Sequence, residues 1–346
     1  MGTEERIIEI EEEIYNTQKN KATERHIGLL KARMAYLREL ERKQSKKRKV
    51  VKGIRKSGDA TCAISGPPSV GKSTLINRLT SVESKVAGYD FTTLKVIEGM
   101  MVHKGAHIQV LDTPGLIGGA AKGKGRGREV MSSLRVSDLM IIILDPGTID
   151  KKEGIEQEIY DAGIRLNRKR SNIRIKKTDR GGMEIFGHRD KRFVKDLARE
   201  YGILNAKISV GKGSTIEDVI DFFSGNVQYI KGLWVLNKVD NRELNVKGFD
   251  LQISAKYGKN MEKLKDLIFE RLDLIRVYTD TGTNKEPMIL KKGSTVRDFC
   301  RGIHRDFEEK FRFARIWGSS ARYDGQLVGL GHILNDEDTI KVEIKR

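Results

Sequence analysis

The sequence predicts an α/β chain built on a mostly parallel sheet, with an N-terminal helical hairpin, an inserted α+β domain and a C-terminal β-grasp-like domain. From Asp59 onward, short apolar segments alternate with amphipathic ones, as strands and helices do in α/β proteins. Residues 139–144 and 233–236 are continuous apolar runs, which is typical of strands covered on both faces. A glycine-rich turn at Gly66–Ser73 lies between a predicted strand and a predicted helix.

The 346-residue chain has 66 Lys and Arg against 48 Asp and Glu, a formal net charge of +18. Such an excess favours a polyanionic partner, which is nucleic acid, the ribosome or an anionic membrane surface. No apolar run approaches the roughly 20 residues that a membrane span requires. Two cysteines are too few for a disulfide framework, and the acidic start, Met1–Arg6, does not resemble a signal peptide. We therefore expect a cytoplasmic protein with no membrane partner; a monomer is the expected state, although no sequence pattern determines it.

Residues 1–56 are predicted to form the helical hairpin and a basic linker. Apolar residues recur at helical spacing from Ile7 to Ile14 and again from Ile27 to Leu37. The basic run at 41–56 is either a solvated linker or a contact with RNA.

The central domain is predicted to comprise 57–150 and 228–273, with a helix at 72–79. Its motif residues Asp112 and Asn237 are 125 positions apart, whereas two strand–helix units need roughly 60. Residues 151–227 are therefore predicted to be an inserted basic α+β domain that includes a hairpin over Ile173–Ile185. Residues 274–346 are predicted to form the last domain. Along the whole chain from residue 60, strands are predicted at 60–65, 94–103, 107–112, 139–144, 206–210, 233–236, 275–279 and 288–290. Further helices are predicted at 191–201, 215–223 and 295–303.

The segment Gly66–Ser73 fits the pattern G-x-x-x-x-G-K-S of a phosphate-binding loop. Its glycines allow backbone N–H groups to close around phosphates, and the start of the following helix adds its positive dipole end. Lys72 is expected to contact the β- and γ-phosphates as a catalytic group, and Ser73 to bind Mg²⁺.

Two further motifs are predicted to respond to the γ-phosphate. Asp112 ends a strand and is placed to bind Mg²⁺ through water, and the N–H of Gly115 is placed to contact the γ-phosphate. Earlier in the chain, the loop that precedes the strand at 94–103 carries Thr92 and Thr93, one of which is expected to reach the same Mg²⁺.

Guanine is predicted to be recognised by two loops. The Asp240 carboxylate can accept both hydrogens of the guanine N1 and N2 edge, which adenine does not offer. The loop Ser254–Lys256 is expected to supply a backbone N–H to guanine O6. Together the motifs predict a P-loop GTPase domain for GTP and GDP. The predicted nucleotide-binding residues are Gly66, Pro67, Pro68, Ser69, Val70, Gly71, Lys72, Ser73, Thr74, Asp112, Thr113, Pro114, Gly115, Asn237, Lys238, Asp240, Ser254, Ala255 and Lys256.

Hydrolysis is expected to be slow without a partner. Leu116 stands where many GTPases have a water-orienting glutamine. Arg126 and Arg128 in the glycine-rich loop that follows are candidates for stabilising transition-state charge, although RNA contact or loop mobility also explains them.

Several longer stretches of this chain resemble the developmentally regulated GTP-binding proteins of archaea and eukaryotes, in the Obg–HflX-like GTPase superfamily. These stretches are Thr17–Thr23 with Leu29–Ala32, Gly66–Thr74, Phe91–Leu94, Gly123–Arg128 and Gly163–Asn167. The resemblance implies that 274–346 is a TGS domain, and that the insertion is like the second domain of a small-subunit ribosomal protein. It also implies that Thr93, rather than Thr92, binds Mg²⁺.

The same resemblance implies a ribosome-associated translational GTPase that works with a small regulatory partner protein in eukaryotes. Superfamily members with asparagine at the position of Ser69 use K⁺ as an added catalytic charge, and serine at this position weakens that inference here. The leading hypothesis is a slow, Mg²⁺-dependent GTPase switch bound to the ribosome or ribosomal RNA and acting in translation. The alternatives are a GTP-dependent ribosome-assembly factor and an RNA-binding scaffold in which GTP is a structural ligand.

Overall fold

The computed structural model describes residues 3–18, 20, 23–46, 57–80, 85–87, 96–113, 137–225, 227–240, 244–280 and 286–345. The chain divides into two compact units, one formed by Met1–Lys52 with Gly163–Tyr229 and the other by Gly53–Ala162 with Ile230–Arg346.

The helices among the described residues are α1 (Thr3–Asn16), α2 (Glu24–Lys46), α3 (Lys72–Leu79), α4 (Lys152–Asp161), α5 (Lys191–Glu200), α6 (Ile216–Ser224), α7 (Met261–Arg271), α8 (Val296–Ile303) and α9 (Arg305–Glu309). The strands are β1 (Ala60–Ser65), β2 (Lys85–Ala87), β3 (Val96–His103), β4 (Ala106–Asp112), β5 (Leu139–Leu144), β6 (Ile164–Leu166), β7 (Ile173–Lys177), β8 (Met183–Phe186), β9 (Ala206–Val210), β10 (Gln228–Leu236), β11 (Leu251–Gln252), β12 (Leu274–Thr279), β13 (Met288–Lys291), β14 (Phe311–Trp317), β15 (Gln326–Val328) and β16 (Asp338–Ile344).

The main sheet runs in the order β11-β10-β5-β1-β4-β3-β2. Strands β11, β10, β5, β1 and β4 pair in parallel, and β3 and β2 add an antiparallel edge. All six residues of β1 and of β5 are buried, as their continuous apolar sequences predict. The predicted α/β fold with a mostly parallel sheet is confirmed. Because the strands are parallel, their carboxyl ends meet at one edge, which is where ligands bind in open α/β sheets.

A second sheet, β13-β12-β16-β14-β15, is formed by the C-terminal part of the chain. Its inner face packs on α8 through buried residues that include Phe299 and Ile316. This part of the chain contacts the main sheet at the β3–β4 turn, where an added Cβ on Gly105 would lie 2.6 Å from Pro287 Cγ. Lys104 in that turn forms an ion pair of 2.7 Å with Asp266 of α7. The tip of the β3–β4 hairpin is therefore tied to both α7 and the C-terminal sheet.

The other unit joins the N-terminal helices to the inserted segment, and α2 contributes to the core of that segment. Helix α2 approaches α5 and α6 closely at Gly28, where a Cβ would lie 3.2 Å from the side chains of Phe193 and Ile216. Tyr36 of α2 packs edge-on against Tyr201, with ring centroids 5.1 Å apart. The apolar stripes of the N-terminal segment pack α1 on α2 in a separate cluster that includes Ile10 and Leu30, whereas a different face of α2 joins the core of the inserted segment.

The predicted hairpin over Ile173–Ile185 is wrong. Strands β7 and β8 lie on opposite sides of β9, with β7 antiparallel and β8 parallel to it. Gly181 and Gly182 both have positive φ and lie in the turn, as the sequence indicates. However, β9 lies between the two strands and pairs with each of them, so they do not pair with each other.

The contact pattern also bears on where the insertion begins. Helix α4 falls within the predicted insertion of 151–227, whereas its contacts place it in the unit that contains the main sheet, and the other unit resumes at Gly163. The domain boundaries drawn from the sequence stay predictions. Among the described residues, no helix combines the length and apolar character needed to cross a bilayer.

Candidate functional site

The glycine-rich loop Gly66–Ser73 connects β1 to α3, at the carboxyl edge of the main sheet. Glycine is required at both of its glycine positions. A Cβ on Gly66 would lie 2.4 Å from the Ile143 carbonyl oxygen, and Gly71 combines a φ of 95° with a Cβ position 2.5 Å from Asn237 Nδ2. The loop backbone therefore lies directly against β5 and the loop that follows β10. The loop N–H groups and the N-terminus of α3 together form a positively polarised surface suited to phosphate.

Lys72 folds back over this loop. Its ammonium group donates hydrogen bonds to the carbonyl oxygens of Gly66, at 3.0 Å, and Pro67, at 2.7 Å. Burial lowers the pKa of Lys72 below its ordinary value, and the nearby Asp112 carboxylate opposes that shift. The cation is thus held within the loop, and a phosphate bound there would replace neutral carbonyl partners with an anionic one.

Asp112 ends β4, the parallel neighbour of β1, and is aligned with Ile64. The next residue, Thr113, donates both its backbone N–H and its hydroxyl to the Ile64 carbonyl oxygen, at 3.0 and 2.8 Å. Burial raises the pKa of Asp112, and the Lys72 ammonium opposes that shift. The register of β1 and β4 therefore brings a buried carboxylate to the phosphate-binding loop.

The Asp112 carboxylate suits a divalent cation. Its Oδ1 atom is buried and has no hydrogen-bond partner among the described residues. A buried oxygen without a partner is destabilising by about 1–3 kcal/mol, and a cation or its water shell would satisfy it. Ser73, exposed at the first turn of α3, supplies the hydroxyl oxygen that Mg²⁺ accepts as a ligand. These donors fit the predicted Mg²⁺.

Asn237 connects the two ends of the candidate site. Its Nδ2 donates to the Val70 carbonyl oxygen at 2.8 Å, and its Oδ1 accepts from the Ala255 N–H at 2.9 Å. Asn237 is 2% exposed. One buried amide therefore joins the phosphate-binding loop to the loop after β11.

The Asp240 carboxylate is exposed, as a group that binds a base must be. Its Oδ1 accepts a hydrogen bond of 2.5 Å from the hydroxyl of Ser254, which is itself buried. The Ser254 oxygen also accepts from the Tyr257 N–H, at 3.2 Å. These contacts orient the carboxylate beside the loop that carries the predicted donor to guanine O6.

Lys238, between these groups, has a φ of 63° and forms an ion pair of 2.7 Å with Asp145, the residue after β5. Burial acts to raise the pKa of Asp145, but hydrogen bonds from Lys238 and Thr148 bring it below its ordinary value. The lysine is therefore tied to the adjacent strand end.

One residue that supports the site was not among those predicted from the sequence. Arg78, on α3, donates to the carbonyl oxygens of Ala255, at 3.2 Å, and Lys256, at 2.9 Å. Its first partner is 177 positions away along the chain, so no local pattern indicates the contact. Arg78 and Asn237 together hold the Ser254–Lys256 loop against α3.

The structure thus brings Gly66–Thr74, Asp112, Thr113, Asn237–Asp240 and Ser254–Lys256 to one edge of one sheet. The other residues assigned from the sequence, Thr92, Thr93, Pro114, Gly115, Leu116, Arg126 and Arg128, lie outside the described residues.

Three parts of the chain match known protein families. Residues 61–177 match the family described as 50S ribosome-binding GTPase, residues 180–274 match the C-terminal region of the same domain, and residues 275–343 match the TGS domain.

Similarity to individual proteins extends over almost the whole chain. A GTP-binding protein of Methanocaldococcus jannaschii is 42% identical, with 100% of this chain and 94% of that protein covered. Developmentally-regulated GTP-binding protein 1 of Xenopus laevis is 41% identical, with 99% of each covered. Among solved structures, the YchF GTPase of Schizosaccharomyces pombe is 15% identical, with a TM-score of 0.47, 85% of this chain and 100% of that chain covered.

Proposed function

This chain belongs to the family of GTP-binding proteins that includes the developmentally-regulated GTP-binding proteins and has a TGS domain, and we propose that it is a slow, Mg²⁺-dependent GTPase switch acting on the ribosome or ribosomal RNA. Its placement in the Obg–HflX-like superfamily is part of this proposal. The observation on which the proposal depends is the Asn237 bridge, because it holds a phosphate-binding loop and a guanine-selective loop at a shared edge.

GTP recognition follows from this arrangement. The N–H groups of Gly66–Ser73 and the Lys72 ammonium would bind the phosphates, while Asp240 accepts the N1 and N2 hydrogens of guanine. Lys238 and Ala255 would lie along the base, supported by Asp145 and Asn237 as described above. Adenine presents a single amino group and no N1 hydrogen at the corresponding edge, so Asp240 would be left without its two partners.

Hydrolysis transfers the γ-phosphoryl group of GTP to water and yields GDP and phosphate. Lys72 would neutralise charge that develops on the β- and γ-phosphates. Ser73, Asp112 and Thr93 would hold Mg²⁺, which would neutralise further phosphate charge. Gly115 would sense the γ-phosphate through its N–H. Since Leu116 has no group to orient water, turnover is slow until another cation acts, supplied by Arg126, Arg128, K⁺ near Ser69 or a regulatory partner protein.

Association with the ribosome is supported by the net charge of +18 and by the description of the matched family as ribosome-binding. GTP would order the loops of Thr93 and Gly115, and hydrolysis would release them, which couples the nucleotide state to affinity for the particle. Cytoplasmic location and action in translation are parts of the same proposal.

Nucleotide selectivity tests the guanine assignment. We expect the wild type to bind GDP and GTP far more tightly than ADP and ATP. Asp240→Asn should lose guanine affinity and gain xanthine affinity, because an amide N–H can donate to the C2 carbonyl oxygen that xanthine has in place of the guanine amino group. Glu262→Gln is the matched control, since that carboxylate is 74% exposed on α7 and pairs only with Lys265 among the described residues. Equal binding of adenine and guanine nucleotides by the wild type would refute the proposal.

The replacement of glutamine by Leu116 supports a second candidate, an RNA-binding scaffold in which GTP is structural. Turnover measured with ribosomes, K⁺ and partner proteins separates the two, because a scaffold shows no stimulation by any of them. Ribosome profiles after depletion separate a translation role from an assembly role, since loss of an assembly factor leads to accumulation of precursor subunits.

A further inference from the structure

The three-stranded sheet of the inserted segment has one covered and one uncovered face. Alternate residues of β9, namely Ala206, Ile208 and Val210, are buried in the core with α5 and α6. The residues between them, and their neighbours on β7 and β8, are exposed. We call this uncovered surface the open face, and it comprises Arg174, Lys176, Glu184, Phe186, Lys207 and Ser209.

Strand register arranges the open face in two rows. One row runs Lys176, Lys207, Glu184 and the other runs Arg174, Ser209, Phe186. Neighbouring strands lie about 4.8 Å apart, so each row spans roughly 10 Å, which is comparable to the reach of one or two nucleotides.

Phe186 is 51% exposed although it belongs to a regular strand. Its neighbours Met183 and Ile185 point into the core, so the period of β8 places Phe186 outward. An aromatic ring on a flat polar surface offers a platform on which an unpaired base can stack.

Basic residues lie on the chain segments that adjoin the Phe186 end of the open face. The start of β7 and the end of β9 are joined there by a hydrogen bond of 2.9 Å from the Gly211 N–H to the Asn172 carbonyl oxygen. The end of β8 is equally close, since a Cβ on Gly187 would lie 2.0 Å from the Val210 carbonyl oxygen. The exposed cations on the chain segments that leave these strand ends are Lys169, Arg170, Arg189 and Lys212.

The only acidic residue of the open face is Glu184, and it is paired with Lys207 at 3.2 Å. For Arg174 and Lys176, no ion pair is found among the described residues. The surface is therefore cationic around a single aromatic ring, which complements a chain of phosphates carrying exposed bases.

We propose that the open face binds single-stranded RNA, with one unpaired base stacked on Phe186 and the adjoining phosphates along Arg174, Lys176 and the basic strand ends. The inference rests on the proposed association with RNA and specifies the surface and the form of RNA. A duplex keeps its base faces stacked inside the helix, so it would engage the cations without engaging Phe186.

The test measures binding of the full-length protein to a fluorescein-labelled 12-nucleotide RNA, single-stranded or annealed to its complement, by fluorescence anisotropy. Phe186→Ala should weaken single-strand binding about 5- to 150-fold, the usual effect of removing one stacking side chain, and Phe186→Trp should restore it. Leu204→Ala is the matched control, since Leu204 is a 68% exposed apolar residue outside the open face, and it should leave binding unchanged. Glu184→Gln should tighten binding because it removes the one negative charge and frees Lys207.

Arg174→Ala should reduce the dependence of log affinity on log salt concentration by about one unit. The inference is overturned if Phe186→Ala binds single-stranded RNA like the wild type, or if the duplex binds as tightly and is equally sensitive to Phe186. It is also overturned if Phe186→Ala reduces binding only to phosphatidylserine vesicles.

Co-sedimentation with ribosomes distinguishes this failure from failure of the proposed function. If the wild type binds neither ribosomes nor RNA, the proposed association with RNA is wrong. If the wild type and Phe186→Ala sediment equally with ribosomes and bind RNA equally, only the assignment of the open face is wrong.

Discussion

Replacing Asn237 by alanine tests whether one side chain organises the nucleotide site. The substitution leaves the Val70 carbonyl and the Ala255 N–H unpaired in a buried place. Each unpaired buried group costs about 1–3 kcal/mol, so we expect the arrangement of the two loops to be destabilised by about 2–6 kcal/mol in total. Nucleotide binding requires both loops in place. Even the lower figure, a loss of about 2 kcal/mol, would therefore weaken GDP binding roughly 30-fold, because about 1.4 kcal/mol corresponds to a tenfold change in affinity.

The assay is titration with a fluorescent GDP analogue, together with the melting temperature of the nucleotide-free protein. Asn172→Ala is the matched control, because Asn172 is exposed and its side chain makes no hydrogen bond among the described residues. We expect this control to keep wild-type affinity and melting temperature. GDP affinity of Asn237→Ala within about twofold of the wild type would refute the reasoning that the bridge organises the site.

Two further predictions concern stability. Gly105→Ala should lower the free energy of unfolding by about 1–3 kcal/mol, measured by urea denaturation, because Gly105 has a φ of 82° and a Cβ there would lie 2.6 Å from Pro287 Cγ. By contrast, Gly154 lies on α4 with open space where a Cβ would be, so Gly154→Ala should raise the free energy of unfolding by roughly 0.5–1 kcal/mol. Equal changes in stability for the two substitutions would contradict the close packing at the β3–β4 turn. Burial acts to raise the pKa of Asp336, but hydrogen bonds from Arg276 bring it below its ordinary value. Because the pKa of Asp336 is lower in the folded than in the unfolded protein, its carboxylate stabilises the fold above about pH 4, and this stabilisation is lost as the pH falls through the folded-state pKa. The difference in melting temperature between the wild type and Asp336→Asn should therefore shrink from about pH 6 to about pH 3. A constant difference would contradict this reasoning.

The nucleotide motifs and the strands that precede them were predictable because their signals are local. Residues 60–65, 72–79 and 139–144 have the predicted bounds, since a continuous apolar run or a glycine-rich turn before a helix has few structural alternatives. Helix α4 was missed although Ile155 and Ile159 recur at helical spacing and are both buried. There the signal existed but was weak in a stretch dominated by charge.

Other features depended on partners distant in the chain. The hairpin over Ile173–Ile185 is locally plausible, yet β9, some twenty residues later, pairs with both strands. Sequence separation also hid the contacts of Arg78 with the Ser254–Lys256 loop and of Lys238 with Asp145. None of these pairings leaves a periodic pattern, because each depends on which strand ends become neighbours.

By itself, the sequence determined the mostly parallel α/β fold, because residue spacing dictates which stretches form strands, helices and turns. Tertiary structure alone decided that α2 packs in the core of the inserted segment, that Asn237 joins two loops, and that Phe186 lies outward among cations. The physical reason is that burial and hydrogen-bond satisfaction are properties of the assembled chain, where residues far apart in sequence compete for the same partners.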